Sequence, residues 1–159
     1  MRDDVRRRPA DTFAAREPRT PEEWDAYYTA RWQWLRAPLG QPRGSERDKH
    51  EGSAVHRAVF DAHGAVLAVG RLHLIDAANA RVRYVASAPA CRRLGHGRTV
   101  MNVLEAAARR LGVRRVYLHA RRDVVSFYLR LGYRATGAAP ALYGTLAQTM
   151  MEKQITPRR

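Results

Sequence analysis

The residues of this chain most suited to chemistry form a basic, glycine-rich turn, Arg92-Arg93-Leu94-Gly95-His96-Gly97. Residues 82–87 before it predict a strand, and residues 97–111 after it predict an amphipathic helix. The first amide groups of a helix have no intrahelical partner and point outward with the positive end of the helix dipole. Glycines let the backbone approach an anion, and the arginines of the turn, with Arg98, add positive charge. The turn therefore predicts a site for a phosphate or pyrophosphate.

Two familiar phosphate-binding motifs do not fit this turn. A P-loop requires a lysine after its last glycine, and none follows Gly97. A dinucleotide-binding fingerprint requires a third glycine at position 100, which is Val100. Taken alone, the turn also allows a purely steric explanation, because paired glycines often end strands.

A second segment lies about thirty residues downstream, Ser126-Phe127-Tyr128-Leu129-Arg130-Leu131-Gly132-Tyr133. In this order and spacing, the two segments resemble the GCN5-related N-acetyltransferase (GNAT) superfamily, in particular its small bacterial members. The resemblance covers residues 54–152 and is strongest over 82–134. It implies acyl-coenzyme A binding and an α+β (mixed α/β) fold, with a central, mostly antiparallel, twisted sheet and flanking helices.

The resemblance also implies roles for individual residues in cofactor binding. A backbone amide of the strand before the turn would hold the thioester carbonyl where that strand splays from its neighbour. The implied cofactor-binding residues are Val85, Ala86 and Ser87 on the strand, and Arg92, Arg93, Leu94, Gly95, His96, Gly97 and Arg98 in the turn.

Tyr128 is the implied general acid, because a phenol can protonate a departing thiolate. A buried core tyrosine is the alternative at this position. His119 occupies a place where relatives usually have asparagine. It is expected to contact the cofactor and could titrate near neutral pH, or it could simply end a strand.

The general base stays open in the sequence. Relatives in the apparent subgroup carry a Pro-His pair in the last strand, whereas residues 144–148 of this chain contain neither residue. This departure leaves the acceptor, and activity itself, open. The base candidates lie in or beside a long polar loop, and each could equally be a solvated surface residue: Glu46, Asp48, His50, Glu51 and His56.

The formal charge of +14 admits two interpretations. A basic chain attracts polyanions such as nucleic acid. However, 27 of the 29 basic residues are arginine, which indicates a compositional bias. Residues 81–134 hold thirteen arginines against Glu105 and Asp123, so most of the excess lies in the part that resembles a coenzyme A site. Nucleic-acid binding is therefore disfavoured as a primary role.

Bulk properties predict one cytoplasmic domain. The 159 residues suffice for a single core, and no apolar run is long enough to cross a membrane. Met1 to Arg8 is charged and is not followed by the apolar segment of a secretory signal. The single cysteine, Cys91, fits a reducing compartment and is interpreted as a packing residue. No residue set has metal-ligand spacing, so no metal is expected.

The order of elements follows from periodicity and caps. Residues 1–19 are Arg-rich and predicted to be disordered, and residues 20–155 form the acyltransferase domain. A helix is expected to begin at Thr20, with Glu23 completing a capping box. Three antiparallel strands, a helix, a strand, a short helix and two final strands follow, with Pro140 at the last turn and one parallel crossover.

The sequence thus predicts an N-acyltransferase that moves an acetyl or other acyl group from acetyl-CoA to an amine. The acceptor is a small molecule or a protein, and a homodimer is left open. A non-catalytic acyl-CoA-binding regulator of the same fold is the first alternative. A basic nucleic-acid-associated protein is the second, and its binding would weaken steeply with salt.

Overall fold

The computed structural model describes residues 13–158, which form three α-helices and seven strands. Their order confirms the predicted succession of elements, with one additional short strand at the start. The bounds are β1 Ala15–Arg16, α1 Pro21–Leu35, β2 Val55–Phe60, β3 Val66–Leu74, β4 Asn79–Ser87, α2 His96–Arg110, β5 Arg115–Arg121, α3 Val125–Arg130, β6 Arg134–Leu142 and β7 Leu146–Gln154.

The seven strands form one sheet in the order β1-β2-β3-β4-β5-β7-β6. Only β4 and β5 pair in parallel, and every other neighbouring pair is antiparallel. This arrangement confirms the predicted α+β class. The expected disorder of residues 1–19 is wrong at its end, because Ala15 pairs with Val59 in β2. Residues 1–12 lie outside the described part of the chain.

The first helix begins where its capping residues predict. The Thr20 hydroxyl accepts a hydrogen bond from the Glu23 amide at 3.1 Å, and Pro21 occupies the first helical position. The Glu23 carboxylate accepts from the Arg19 amide at 2.8 Å and pairs with Arg16. These bonds fix the end of α1 against the edge strand β1.

The two faces of the sheet carry different helices. Helix α1 packs through Tyr27 against Ala58 and Val69, on a face that we call the α1 face. Helix α2 covers the opposite face, where Leu104 and its neighbours join the main core. Alternate residues of β4 and β5 therefore face different helices.

One predicted turn is wrong. Pro140 lies inside β6, and the connection to β7 runs through Tyr143 and Gly144, both with left-handed backbone. A proline donates no hydrogen bond, yet a sheet tolerates it on an edge strand, and β6 is such an edge. The β6–β7 hairpin is consequently longer than predicted and reaches the end of α1.

A bulge shapes β4 beside the site. Tyr84 has a φ of +58°, and the β3–β4 register shifts opposite Gly70. Helix α2 packs tightly at this point, because a Cβ on Gly70 would lie 2.5 Å from Val100 Cγ1. Gly70 thus permits α2 to sit close to the bulged strand.

We expect Gly70→Ala to lower the free energy of unfolding by about 1–3 kcal/mol, because the added methyl group overpacks the contact with α2. Gly52→Ala is the matched control, since a Cβ there meets no atom within 4 Å. It should change stability by less than about 0.5 kcal/mol. Urea unfolding of both variants measures the difference, and equal midpoints would contradict the close approach.

Candidate functional site

The site begins at a gap in the middle of the sheet. The parallel pairing of β4 and β5 consists of three residue pairs and ends at Arg81 and Tyr117. Beyond this point β4 stays paired with β3, while β5 stays paired with β7 up to Arg121. The two strands therefore separate, and a cavity opens between their carboxyl-terminal halves.

This cavity has a volume of about 380 Å³ and passes through the sheet. On the side of α2 and α3, its wall is apolar and includes Val82, Leu118 and Tyr128. On the α1 face, its wall is polar. The residues there are Arg36, Arg81, Arg83, Tyr84, His119 and Tyr143.

The glycine-rich turn follows β4 directly and begins α2. Gly95 precedes the helix with a φ of +89°, a conformation that favours glycine. The first intrahelical hydrogen bond runs from the Thr99 amide to the Gly95 carbonyl at 3.0 Å. The amides of His96, Gly97 and Arg98 precede that bond, so they can donate to an anion. The exposed arginines of the turn make no ion pair among the described residues.

Gly97 holds the turn against both neighbouring elements. A Cβ at this position would lie 3.3 Å from Ser87 Oγ and 3.5 Å from Phe127 Cζ. The turn thus sits between the end of β4 and helix α3. Leu94 is 60% exposed, which places its side chain on the outer surface of the turn.

The backbone amides of the three strand residues predicted to bind the thioester point in different directions. Ala86 opposes Val69, and the Ala88 amide donates to the Leu67 carbonyl of β3 at 2.8 Å. Because amide directions alternate along a strand, the Ser87 amide faces the gap while the Ala86 amide faces β3. Val85 lines the cavity. The same alternation turns the Val85 amide towards the gap, and Ser87 is not among the residues that line the cavity, so Val85 is the best-placed donor of the three.

Tyr128 combines burial with a free hydroxyl. Its ring packs edge-on against Phe127 and Tyr133, and its hydroxyl has no hydrogen-bond partner within residues 13–158. Burial raises the pKa of Tyr128 above its usual value, which keeps the phenol protonated. A protonated donor in the cavity wall has the properties that a general acid requires.

His119 lies in the cavity wall, where its surroundings do not favour titration near neutral pH. Its Nδ1 accepts a hydrogen bond from Arg81 Nη2 at 3.1 Å. Burial, then the positive charges of Arg81 and Arg83, lower the pKa of His119 to about 4. The ring is therefore neutral at physiological pH, with its proton on Nε2.

The acidic base candidates are held in ion pairs on the α1 face. Asp48 binds Arg71 at 2.6 Å and Arg83 at 2.9 Å, and Glu51 binds Arg31 at 2.7 Å. Burial alone would raise the pKa of Asp48, but the hydrogen bonds from Arg71 and the His50 amide hold it well below its usual value. Neither carboxylate lines the cavity.

The side chains of the remaining base candidates are also engaged in contacts away from the cavity. His56 binds the Tyr27 hydroxyl through Nδ1 and the Glu51 carbonyl through Nε2, and burial lowers its pKa. The His50 ring stacks on His73 with centroids 4.1 Å apart. Glu46 is 1% exposed and accepts from the Gly44 amide. None of the five loop candidates borders the cavity.

Sequence reasoning missed the basic wall of the cavity. Arg31 stacks over the ring of Tyr84 at 3.8 Å, and Arg36, Arg71 and Arg83 also approach this ring. The sequence did contain a signal for Arg81 and Arg83. They alternate with apolar residues over 80–83, which predicts that their side chains lie on the face of the strand away from the main core. Nothing in the local sequence indicated the bulge at Tyr84.

The sheet gap, the anion-binding turn and the buried phenol define an acyl-coenzyme A-dependent transferase. Comparison with known proteins agrees: the acetyltransferase (GNAT) family model matches residues 11–133. The chain belongs to this family and is an acyltransferase. Within the described residues, no helix is both long and apolar enough to cross a membrane.

Solved structures share this fold at low sequence identity. A Lactobacillus plantarum protein provisionally assigned as an N-acetyltransferase is 22% identical, with a TM-score of 0.75, 89% of this chain and 98% of that chain being covered. An acyl-CoA N-acyltransferase from Pseudomonas aeruginosa is 24% identical, with a TM-score of 0.71 and coverages of 89% and 97%. An aminoglycoside 6'-N-acetyltransferase complexed with coenzyme A is 17% identical, with a TM-score of 0.72 and coverages of 92% and 98%.

We expect Asp48→Asn to destabilise the protein by about 1–3 kcal/mol at neutral pH, because buried Arg71 loses one of its two carboxylate partners and keeps only Glu51. The lowered pKa of Asp48 contributes stability above about pH 4, and this contribution is lost as the pH falls below that value. The variant should therefore lose less stability than the wild type between about pH 4 and pH 2. Denaturant unfolding across this range, with the exposed Asp25→Asn as control, measures the slope. Parallel slopes in all three proteins would contradict the ion-pair assignment.

Proposed function

We propose that the protein is an N-acyltransferase that uses acetyl-CoA and an amine acceptor in the cytoplasm. The observation that carries this proposal is the continuity of the site. Phe127 packs beside the glycine-rich turn, and the adjacent Tyr128 enters the sheet gap. One short helix thus links a place for phosphates with a place for a reacting thioester.

The turn fits the diphosphate of coenzyme A. Its successive amides and unpaired arginines supply hydrogen bonds and charge, while Gly95 and Gly97 meet the conformational and steric demands. The sheet gap beyond it can take the pantetheine arm. When bound, the cofactor supplies an activated acyl thioester.

In the reaction, the amine nitrogen attacks the thioester carbonyl carbon. A carbon–nitrogen bond forms, the carbon–sulfur bond breaks, and the thiolate leaves. The Val85 amide would stabilise the carbonyl oxygen, and Tyr128 would give its proton to sulfur. The proton lost by the amine restores the phenol through solvent, so no proton is gained or lost overall.

The amine must arrive unprotonated, and the cavity favours that form. Its walls contain no carboxylate among the described residues, whereas Arg36, Arg81 and Arg83 surround it. This positive field disfavours an ammonium ion and lowers the pKa of a bound amine. A dedicated general base is therefore not required by this geometry.

A regulator that binds acyl-CoA without turning it over is the second candidate. The absence of the Pro-His pair from residues 144–148 favours it. Release of free thiol from acetyl-CoA in the presence of amines distinguishes the two functions. Aminoglycosides, which give the compared enzyme in complex with coenzyme A its name, are polycations and match this positive cavity poorly.

We expect calorimetry to detect acetyl-CoA binding to the wild-type protein. Gly97→Ala should weaken it by about threefold or more, because the new methyl group must displace Ser87 Oγ and crowd the Phe127 ring beside the turn. Gly52→Ala, which adds the same methyl group in open space, should bind normally. Absence of any binding by the folded wild-type protein would refute the proposed function.

We expect Tyr128→Phe to lower kcat by about 10²-fold or more while leaving the affinity for acetyl-CoA within about twofold, because only the proton donor is lost. Tyr117→Phe is the matched control, since this tyrosine lies on β5 outside the cavity. Thiol release measures kcat for both variants. An unchanged rate in Tyr128→Phe removes the general-acid assignment and leaves the binding role of the turn intact.

A further inference from the structure

The arginines in the wall of the cavity, together with Arg31 and Arg71 behind it, divide into those paired with a carboxylate and those without an acidic partner. Arg31 and Arg71 are fully buried, and each binds a carboxylate of the loop at 2.7 Å or less. Arg83 binds Asp48 at 2.9 Å. The loop carboxylates Asp48 and Glu51 are thereby fully engaged on the α1 face.

Arg36 is buried without an acidic partner. It is 6% exposed, and its guanidinium group donates only to the carbonyl oxygens of Ser45 and Leu35 in the described part of the chain. Its Nη2 has no hydrogen-bond acceptor there. The guanidinium group lies over the rings of Tyr84 and Tyr143, and all three residues line the cavity.

Arg81 is the second arginine of the cavity without an acidic partner. Its hydrogen bond to neutral His119 supplies no negative charge, and its Nε is enclosed without an acceptor. Burial, followed by repulsion from Arg83, lowers the pKa of Arg81. Its charge is thus less well compensated than that of the paired arginines.

Burying a guanidinium ion without a counter-charge is costly, and an anion that enters the cavity removes this cost. Guanidinium groups bind carboxylates and phosphates through two parallel hydrogen bonds. The neutral pantetheine arm offers no such anion, and the diphosphate is assigned to the turn at the start of α2. The acceptor is the remaining molecule that could supply the charge.

We propose that the acceptor is a small amine that carries an anionic group, a carboxylate or a phosphate, bound by Arg36 and Arg81. This inference rests on the proposed function and specifies its substrate class. The cavity volume of about 380 Å³ lies at the lower end of ligand pockets, which limits the acceptor to a small molecule. With its anionic group bound by the arginines, the acceptor would point its amine towards the gap. This single orientation would favour attack on the thioester.

The inference is tested with pairs of acceptors that differ in one anionic group, and kcat/KM is expressed per unprotonated amine because that group also shifts the pKa of the amine. Glycine is compared with glycinamide, and O-phosphoethanolamine with ethanolamine, in thiol-release assays with saturating acetyl-CoA. We expect the anionic member of at least one pair to have a kcat/KM at least about tenfold higher. The two pairs distinguish a carboxylate from a phosphate as the bound group.

Variants assign the preference to the two arginines. Arg81→Gln and Arg36→Gln should remove most of the preference for the anion while retaining acetyl-CoA affinity. Arg110→Gln is the matched control, because this exposed arginine lies at the end of α2 and outside the cavity. Arg81→Lys should retain part of the preference, since charge is kept and the planar fork is lost. Circular dichroism checks the fold of each variant.

If none of these acceptors is turned over, a binding experiment still tests the inference. Acetylglycine and its amide, and N-acetyl-O-phosphoethanolamine and N-acetylethanolamine, are titrated into the protein with coenzyme A present. Tighter binding of an anionic member, lost in Arg81→Gln, supports the inference. If the neutral members are turned over or bound as well as the anionic members, or better, the inference is overturned while the acyltransferase function stands. Absent coenzyme A binding instead refutes the proposed function, and the same titrations without coenzyme A still decide whether the arginines select an anion.

Discussion

The early end of the pairing between β4 and β5 is the constraint on which the rest of the site depends. After Arg81 and Tyr117 the strands follow their outer neighbours, β3 and β7, and no longer each other. The backbone of β4 thereby directs the amides of Val85 and Ser87 into the gap, and space opens between two faces of different chemistry. A fully paired sheet would place hydrogen bonds where a substrate must pass.

The loop between α1 and β2 supports the wall of that opening from behind. Its carboxylates bind arginines from α1, β3 and β4, so the loop is anchored at several points rather than mobile. Tyr84, on the bulge, lies beneath these guanidinium groups. The acids that resembled catalytic bases in the sequence thus serve to position the surroundings of the cavity, and they leave its interior positively charged.

Sequence reasoning reached the features that are encoded locally. The Thr20 cap, the Gly95 turn and the hairpins from β2 to β4 each depend on neighbouring residues, and the structure contains all of them. The separation of β4 from its neighbouring strand was predicted only from the resemblance to the family. The cavity wall could not be predicted in this way, because Arg36 and Arg81 meet only after the chain has folded.

Departures from the sequence analysis have similar physical origins. The turn assigned to Pro140 fails because proline is acceptable on an edge strand, and strand order is a tertiary property. The charge state of His119 depends on Arg81, which lies 38 residues away in the chain. The local sequence places a histidine at the end of a strand, but the pKa of that histidine depends on neighbours that are distant in the sequence.

Helix α3 is only six residues long, yet its two adjacent aromatic side chains reach two separate parts of the site. Phe127 supports the turn, and Tyr128 borders the gap. A displacement of this single helical turn would therefore change the shape of the turn and of the gap together. Substitutions that reshape one of these two parts should accordingly be accompanied by compensating changes near the other.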